Sequence, residues 1–120
     1  MSKDPKAIWE QLKRRQGDIR HALPDVIKGF TEMMQAAEKD GALSHKTKEL
    51  VTLGIAISTR CDFCIVAHVA GCMKAGATRE EILEVCGVAI MMGGGPSYTY
   101  TALVLDAMDA FAPGAVAKPA

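Results

Sequence analysis

Aromatic residues are scarce in this 120-residue chain: three Phe, two Tyr and one Trp, 5% in all, against 49% hydrophobic residues. A core with so few rings must be built from Ala, Val, Ile, Leu and Met, which suits packed helices. Net charge is lacking too, with 14 basic against 14 acidic residues. A balanced chain sets up no field for nucleic acid or an anionic membrane surface, so neither is expected as a partner. Strand alternation bounded by hairpin turns is missing, which leaves an all-α class. No charged N-region runs into an apolar segment, so no secretory leader is expected. A membrane span is also missing. Val85 to Leu105 carries no charge, but Gly93-Gly94-Gly95-Pro96 breaks it and Ser97, Tyr98, Thr99, Tyr100 and Thr101 follow. That stretch reads as two helices joined by a turn.

The length suggests one domain whose core forms without disulfide staples. No repeat or low-complexity segment is evident. The helical domain is expected over 1–112, and the tail 113–120, rich in Pro, Gly and Ala, is expected to be disordered. Helix signals are plentiful. Asp4-Pro5 offers a cap and a first-turn Pro for a helix to about Gln16, followed by a short helix or turn over Asp18 to Leu23. Pro24 opens a helix that stops at Gly41. Ser44 caps a helix from His45 to about Ser58. Thr59 or Ser58 caps the next, which Gly76 ends. Thr78-Arg79-Glu80-Glu81 is a capping box. Ser97 caps a last helix to about Phe111.

Two of these helices are apolar around most of their circumference. Leu50, Val51, Leu53, Ile55 and Ile57 populate one; Ile65, Val66, Ala67, Val69, Ala70 and Met73 populate the next. A helix apolar on all sides is buried, and a chain this small has few helices to bury both. Subunit contacts are the expected cover, so the chain is expected to form a homo-oligomer. The seven Met residues, at helical spacing, read as core.

The four cysteines are Cys61, Cys64, Cys72 and Cys86. With no export signal, a cytoplasmic location is the default, and a Cys-x-x-Cys there points to redox or metal chemistry. Glu49, Cys61, Cys64 and His68 together contain what a thiol-redox cycle needs: two thiols and two groups that move protons. At about 100° per residue, Cys64 falls about 60° and His68 about 20° from Cys61, so all three share one helical stripe. Cys61 and Cys64 open the helix, where unpaired N–H groups and the macrodipole favour thiolate. Arg60 is the adjacent cation. The plainer alternative for the two cysteines is core packing, but this spacing at a helix start favours redox chemistry. His68 is either a proton relay one turn beyond Cys64 or a half-buried histidine bonded to backbone. Glu49 is either a solvated first-turn carboxylate or a partly buried one with a raised pKa, acting as general base. Cys72 lies on the same stripe and could be a third thiol; it and Cys86 read more simply as packed core. His21 and His45 read as surface residues.

The pattern Glu49-x11-Cys61-x2-Cys64-x3-His68 resembles the signature of the AhpD-like alkylhydroperoxidases of the carboxymuconolactone decarboxylase superfamily. The resemblance covers about residues 24–111 and includes the turn Met92-Gly93-Gly94-Gly95-Pro96. It implies an all-helical subunit that assembles into a homotrimer or homohexamer. It implies that Cys64 attacks peroxide, that Cys61 resolves the product, and that Glu49 and His68 relay protons. Some members carry a further His immediately before the second Cys; here that residue is Phe63, so a relay through it is absent. The activity expected is thiol-dependent reduction of a small peroxide or disulfide. No bound cofactor is expected, and the electrons are expected from an external dithiol, a lipoyl or thioredoxin-like donor. Two rivals stand beside it. A lactone decarboxylase-type lyase is expected to need no cysteine pair. A non-catalytic helical module would hold zinc through Cys61, Cys64, His68 and Cys72. That metal reading fails on length, because Cys61 and Cys72 are about 16 Å apart along a helix axis.

Overall fold

The computed structural model describes residues 3–112; the tail 113–120, expected to be disordered, lies outside them. Asp4 opens the first helix as its sequence predicts, its carboxylate accepting the Lys6 N–H at 3.1 Å with Pro5 at the first helical position. That helix, α1 (Pro5–Ala22), does not stop near Gln16 but absorbs the segment read as a separate turn. One internal glycine costs only about 1 kcal/mol of helix propensity, and an Arg15–Asp18 ion pair bridges the step at 2.8 Å. Pro24 is the effective stop.

The second helix, α2 (Pro24–Glu38), ends before Gly41, at an extended Lys39. It is amphipathic, yet none of its residues is buried. The third, α3 (His45–Thr59), starts at Ser44, whose hydroxyl accepts the Thr47 N–H at 3.1 Å. The fourth, α4 (Asp62–Lys74), carries the second cysteine and the histidine of the motif. The fifth, α5 (Arg79–Gly93), opens with both hydrogen bonds of the Thr78–Glu81 capping box, at 3.1 and 2.9 Å. Gly94 turns the chain at φ 70°, ψ −147°, a conformation in effect reserved for glycine. The sixth, α6 (Gly95–Phe111), therefore begins at once, ahead of the predicted cap. Ser97 is inside its first turn and only 1% exposed, with its hydroxyl in the space that a Cβ on Gly93 would need.

The described residues thus form six helices and no strand, the all-α class read from the sequence. The helix α4 runs through the middle, packed on α3 and α6 and flanked by α1, while α5 closes against α3 and α6. Leu53, Ile57, Ile65, Val66, Val69, Ile82, Val104 and Met108 form the core. Each fully buried side chain of this size stabilises the fold by about 1.5–3 kcal/mol. The apolar girth of α4 is therefore covered within the chain. That of α3 is not: Leu53 and Ile57 face inward, while Val51 and Ile55 stay 52% and 59% exposed. The methionines also depart from expectation. Met108 is buried, but Met33, Met91 and Met92 are 62%, 72% and 76% exposed, because they fall on the outer faces of α2 and α5. No helix among the described residues is long and apolar enough to cross a membrane.

Candidate redox-active site

The site is made by the turn between α3 and α4. Arg60 adopts the left-handed conformation, φ 58° and ψ 44°. Its N–H bonds to the Ile57 carbonyl at 3.1 Å and that of Cys61 to the Ala56 carbonyl at 3.3 Å. This is the paired closure of a Schellman turn, with an arginine where glycine is favoured. The chain reverses so sharply that Cys61 itself caps α4. The predicted caps are displaced, and Thr59 bonds back to the Ala56 carbonyl at 3.2 Å. The Cys61 Sγ accepts the Cys64 N–H at 3.2 Å, as a serine oxygen would at this position. Sulfur at that point lies in the field of the helix N-terminus, which favours its thiolate.

Cys61 and Cys64 are joined as a disulfide, with Cα atoms 5.2 Å apart, ordinary spacing for such a bridge. Between them, Asp62 is paired with Lys3 at 3.0 Å. Lys3 offsets a carboxylate that would otherwise oppose thiolate formation. It is this lysine, which the sequence reading did not anticipate, that pairs with the acid inside the motif.

One turn beyond Cys64, His68 Nδ1 lies 3.0 Å from Glu49 Oε1. Glu49 is 6% exposed, so the solvated first-turn alternative is excluded. Its expected raised pKa is also corrected. The hydrogen bond from His68 outweighs burial and holds Glu49 below its ordinary value. The same bond raises His68, against a smaller opposing effect of burial. The proton of the pair therefore resides on the imidazole. A carboxylate at Nδ1 fixes the N–H there, so in neutral His68 the free lone pair is on Nε2.

Two further residues of this neighbourhood escaped the sequence reading. The first is Gly71, one turn beyond His68. A Cβ there would collide with Glu49 Oε2 and the carboxyl carbon. The close approach of α3 to α4 at this point requires glycine, and an isolated glycine within an apolar helix was the available signal. Gly71→Ala should push the Glu49 carboxylate aside and lengthen its bond to His68. The expected result is about 100-fold slower Cys64 alkylation by iodoacetamide at neutral pH, with helicity unchanged by circular dichroism. The second residue is Glu38, at the last position of α2. A carboxylate oxygen of Glu38, one of Glu49 and a ring nitrogen of His68 lie within 4.8 Å of one another. Two of the three, Glu49 and His68, are hydrogen-bonded to each other. Nothing in the sequence near Glu38 marks it.

The remaining candidates are bystanders. Cys72 is fully buried, and burial together with the Glu49 charge pushes its thiol up to about 12. Burial also raises Cys86. His21 and His45 are exposed, as expected. Phe63 projects outward between the cysteines.

Residues 24–107 match the family model described as the carboxymuconolactone decarboxylase family. The chain belongs to that family. Glu49, Cys61, Cys64, His68, Gly71 and Glu38 all lie inside the matched stretch, and the AhpD-like resemblance fits it. A carboxymuconolactone decarboxylase family protein from Legionella pneumophila has a similar structure, with a TM-score of 0.87 and 41% identity over 92% of this chain and 98% of that one. A family member from Thermotoga maritima aligns with a TM-score of 0.67 and 32% identity over 71% of this chain and 88% of that one. Its description offers a part in the antioxidative response as a possibility. An uncharacterised protein of Cupriavidus necator is 34% identical over 92% of this chain and 97% of its own length.

Proposed function

We propose that this family member is a thiol-dependent oxidoreductase of the alkylhydroperoxidase type, cycling Cys61 and Cys64 between dithiol and disulfide. The observation that carries the reading is the 3.0 Å Glu49–His68 contact one helical turn beyond the Cys61–Cys64 bridge. In the reduced protein, His68 Nε2 takes the proton of Cys64, and Glu49 stabilises the resulting imidazolium. The Cys64 thiolate attacks one peroxide oxygen and the O–O bond breaks. The leaving alkoxide takes the proton from His68 and departs as alcohol, while Cys64 becomes a sulfenic acid. Cys61, held as thiolate at the N-cap, attacks that sulfur; hydroxide leaves and takes up a proton as water. The disulfide is then reduced by an external dithiol, lipoyl or thioredoxin-like, which is itself oxidised to a disulfide. The same pair would exchange with a disulfide substrate. A cytoplasmic setting, where dithiol donors are kept reduced, suits the cycle. The lyase chemistry in the family name would leave the cysteine pair without a task.

Steady-state peroxide reduction with a dithiol donor tests this, read against pH. His68 acts as base only when neutral, and its bond to Glu49 holds its pKa above the ordinary 6.5. Activity should therefore rise with pH through an apparent pKa above 6.5. A profile that is level from pH 6 to 8 would remove His68 from the base role.

The proposed assembly rests on the exposed apolar surface. A groove of about 630 Å³ runs between α3 and α5, rimmed by Val51, Ile55, Val88 and Met92, and none of the four motif residues lines it. The outer stripe of α2 adds Val26, Phe30 and Met33, each more than half exposed, and grouped exposed apolar side chains mark association surfaces. Closed association into a trimer or hexamer would cover them. Sedimentation equilibrium at micromolar concentration should give three or six times the 12.8 kDa chain mass. A monomer mass would contradict the assembly.

A further inference from the structure

The loop between α2 and α3 is fastened to the first turn of α3 by three hydrogen bonds. His45 Nδ1–H donates to the Glu38 carbonyl at 2.8 Å, the His45 backbone N–H to Asp40 Oδ1 at 2.7 Å, and Lys48 Nζ to the Lys39 carbonyl at 2.7 Å. Those fastenings hold the end of α2 against α3, so Glu38 reaches the buried pair from a different helix. Its carboxylate, that of Glu49 and the His68 ring then stand within 4.8 Å of one another. Glu49 cannot retreat, because its other side is stopped by Gly71. A glutamate at this distance from a buried carboxylate is not neutral ballast. It must share a proton with that carboxylate or add a second negative charge opposite the imidazole.

We propose that Glu38 is a positioning residue for the thiol reaction, closing a Glu38–Glu49–His68 chain that sets the protonation of His68 from the half-buried end of α2. The proposal rests on the thiol-redox reading of Cys61, Cys64 and His68. The titratable groups facing Glu38 are Glu49 and His45 from α3 and His68 from α4, with Lys48 held on the loop carbonyl. Glu49 and the two histidines act on Glu38 in opposite directions, and the balance lies with burial and Glu49. Burial first, and then the Glu49 charge, raise Glu38. The proximity of Glu38 is the least of the influences that keep Glu49 low, and the charge of Glu38 helps to keep His68 high. Glu38 thus holds its proton to higher pH than an ordinary glutamate, and when ionised it strengthens His68 as a base.

The test is Glu38→Gln, which keeps a hydrogen-bond donor towards Glu49 but removes the charge and the exchangeable carboxyl proton. His68 is titrated by ring-resonance NMR in the intact protein, and Cys64 alkylation is followed against pH in the reduced protein. With Glu38→Gln, the His68 midpoint and the alkylation profile should both move to lower pH, while Glu38→Asp should keep the wild-type midpoint more closely. Both variants leave the Glu49–His68 bond and the core untouched, so their circular dichroism should match wild type. A His68 midpoint that Glu38→Gln does not move overturns the proposal, since a purely structural glutamate would behave in that way. The NMR midpoint reads Glu38 even if wild-type protein reduces no peroxide, so failure of the redox reading and failure of this inference remain distinguishable.

Discussion

Cys64→Ser should abolish peroxide turnover, with the rate falling to that of the uncatalysed thiol reaction. Cys64 is one turn from His68, whose Nδ1 is committed to Glu49 at 3.0 Å, so Nε2 is the nitrogen free to take a proton from the neighbouring thiol. Cys61 occupies a different environment. Its sulfur accepts the N–H of Cys64 and faces the helix N-terminus, a setting that stabilises thiolate without a dedicated base. Cys61→Ser should therefore oxidise once and stop, leaving a sulfenic acid on Cys64 that dimedone traps and mass spectrometry locates. An adduct on Cys61 in the Cys64→Ser protein, with turnover retained, would exchange the two roles.

Glu49→Gln should slow the reaction by roughly 10²- to 10⁴-fold, the usual range for loss of a positioned acid–base group. Two effects combine. The amide cannot stabilise the imidazolium formed when His68 takes the proton. It also removes the leading cause of the raised His68 pKa. Because that pKa is raised in the wild type, its loss moves the rising limb of the profile to lower pH, even as the maximum rate falls. Stability should follow the same sign. The Glu49–His68 pair contributes fully between the ordinary values of about 4.5 and 6.5. Its contribution fades as Glu49 protonates at lower pH and as His68 deprotonates at higher pH. Wild-type thiol reactivity in Glu49→Gln at every pH would leave the carboxylate with packing alone.

Much of this was legible in the sequence because the signals are local. Ser44 and the Thr78–Glu81 box mark helix starts through hydrogen bonds made within four residues, and both caps form as read. The placing of His68 one turn beyond Cys64 needs only helical periodicity, whereas Cys61 stands just before the helix as its cap. What escaped depends on contacts between distant elements. The burial of Glu49 is decided by α4 lying across α3, and Gly71 is required only because a carboxylate from another helix presses on it. The sign of the Glu49 pKa shift followed from its partner: burial alone would raise it, and the bond to His68 is the largest of the effects that reverse that. Glu38 joins the site through a loop whose hydrogen bonds have no sequence signature. Ser97 was misread for a different reason. A capping residue type appeared at a plausible distance from a glycine turn, but Gly94 adopts a conformation that starts the helix earlier. The methionines mislead similarly, since helical spacing identifies a face without saying whether that face is inward.

Titration of free thiols in fully reduced protein, before and after one equivalent of an alkyl hydroperoxide, tests the central claim most directly. Peptide mapping of the product assigns the thiols lost. The expected result is loss of two thiols per peroxide consumed, both from the Cys61–Cys64 pair. Cys72 and Cys86 should remain free, and an added dithiol should restore the pair. Peroxide that leaves all four thiols intact, or that oxidises Cys72 or Cys86 in preference to the pair, would contradict it.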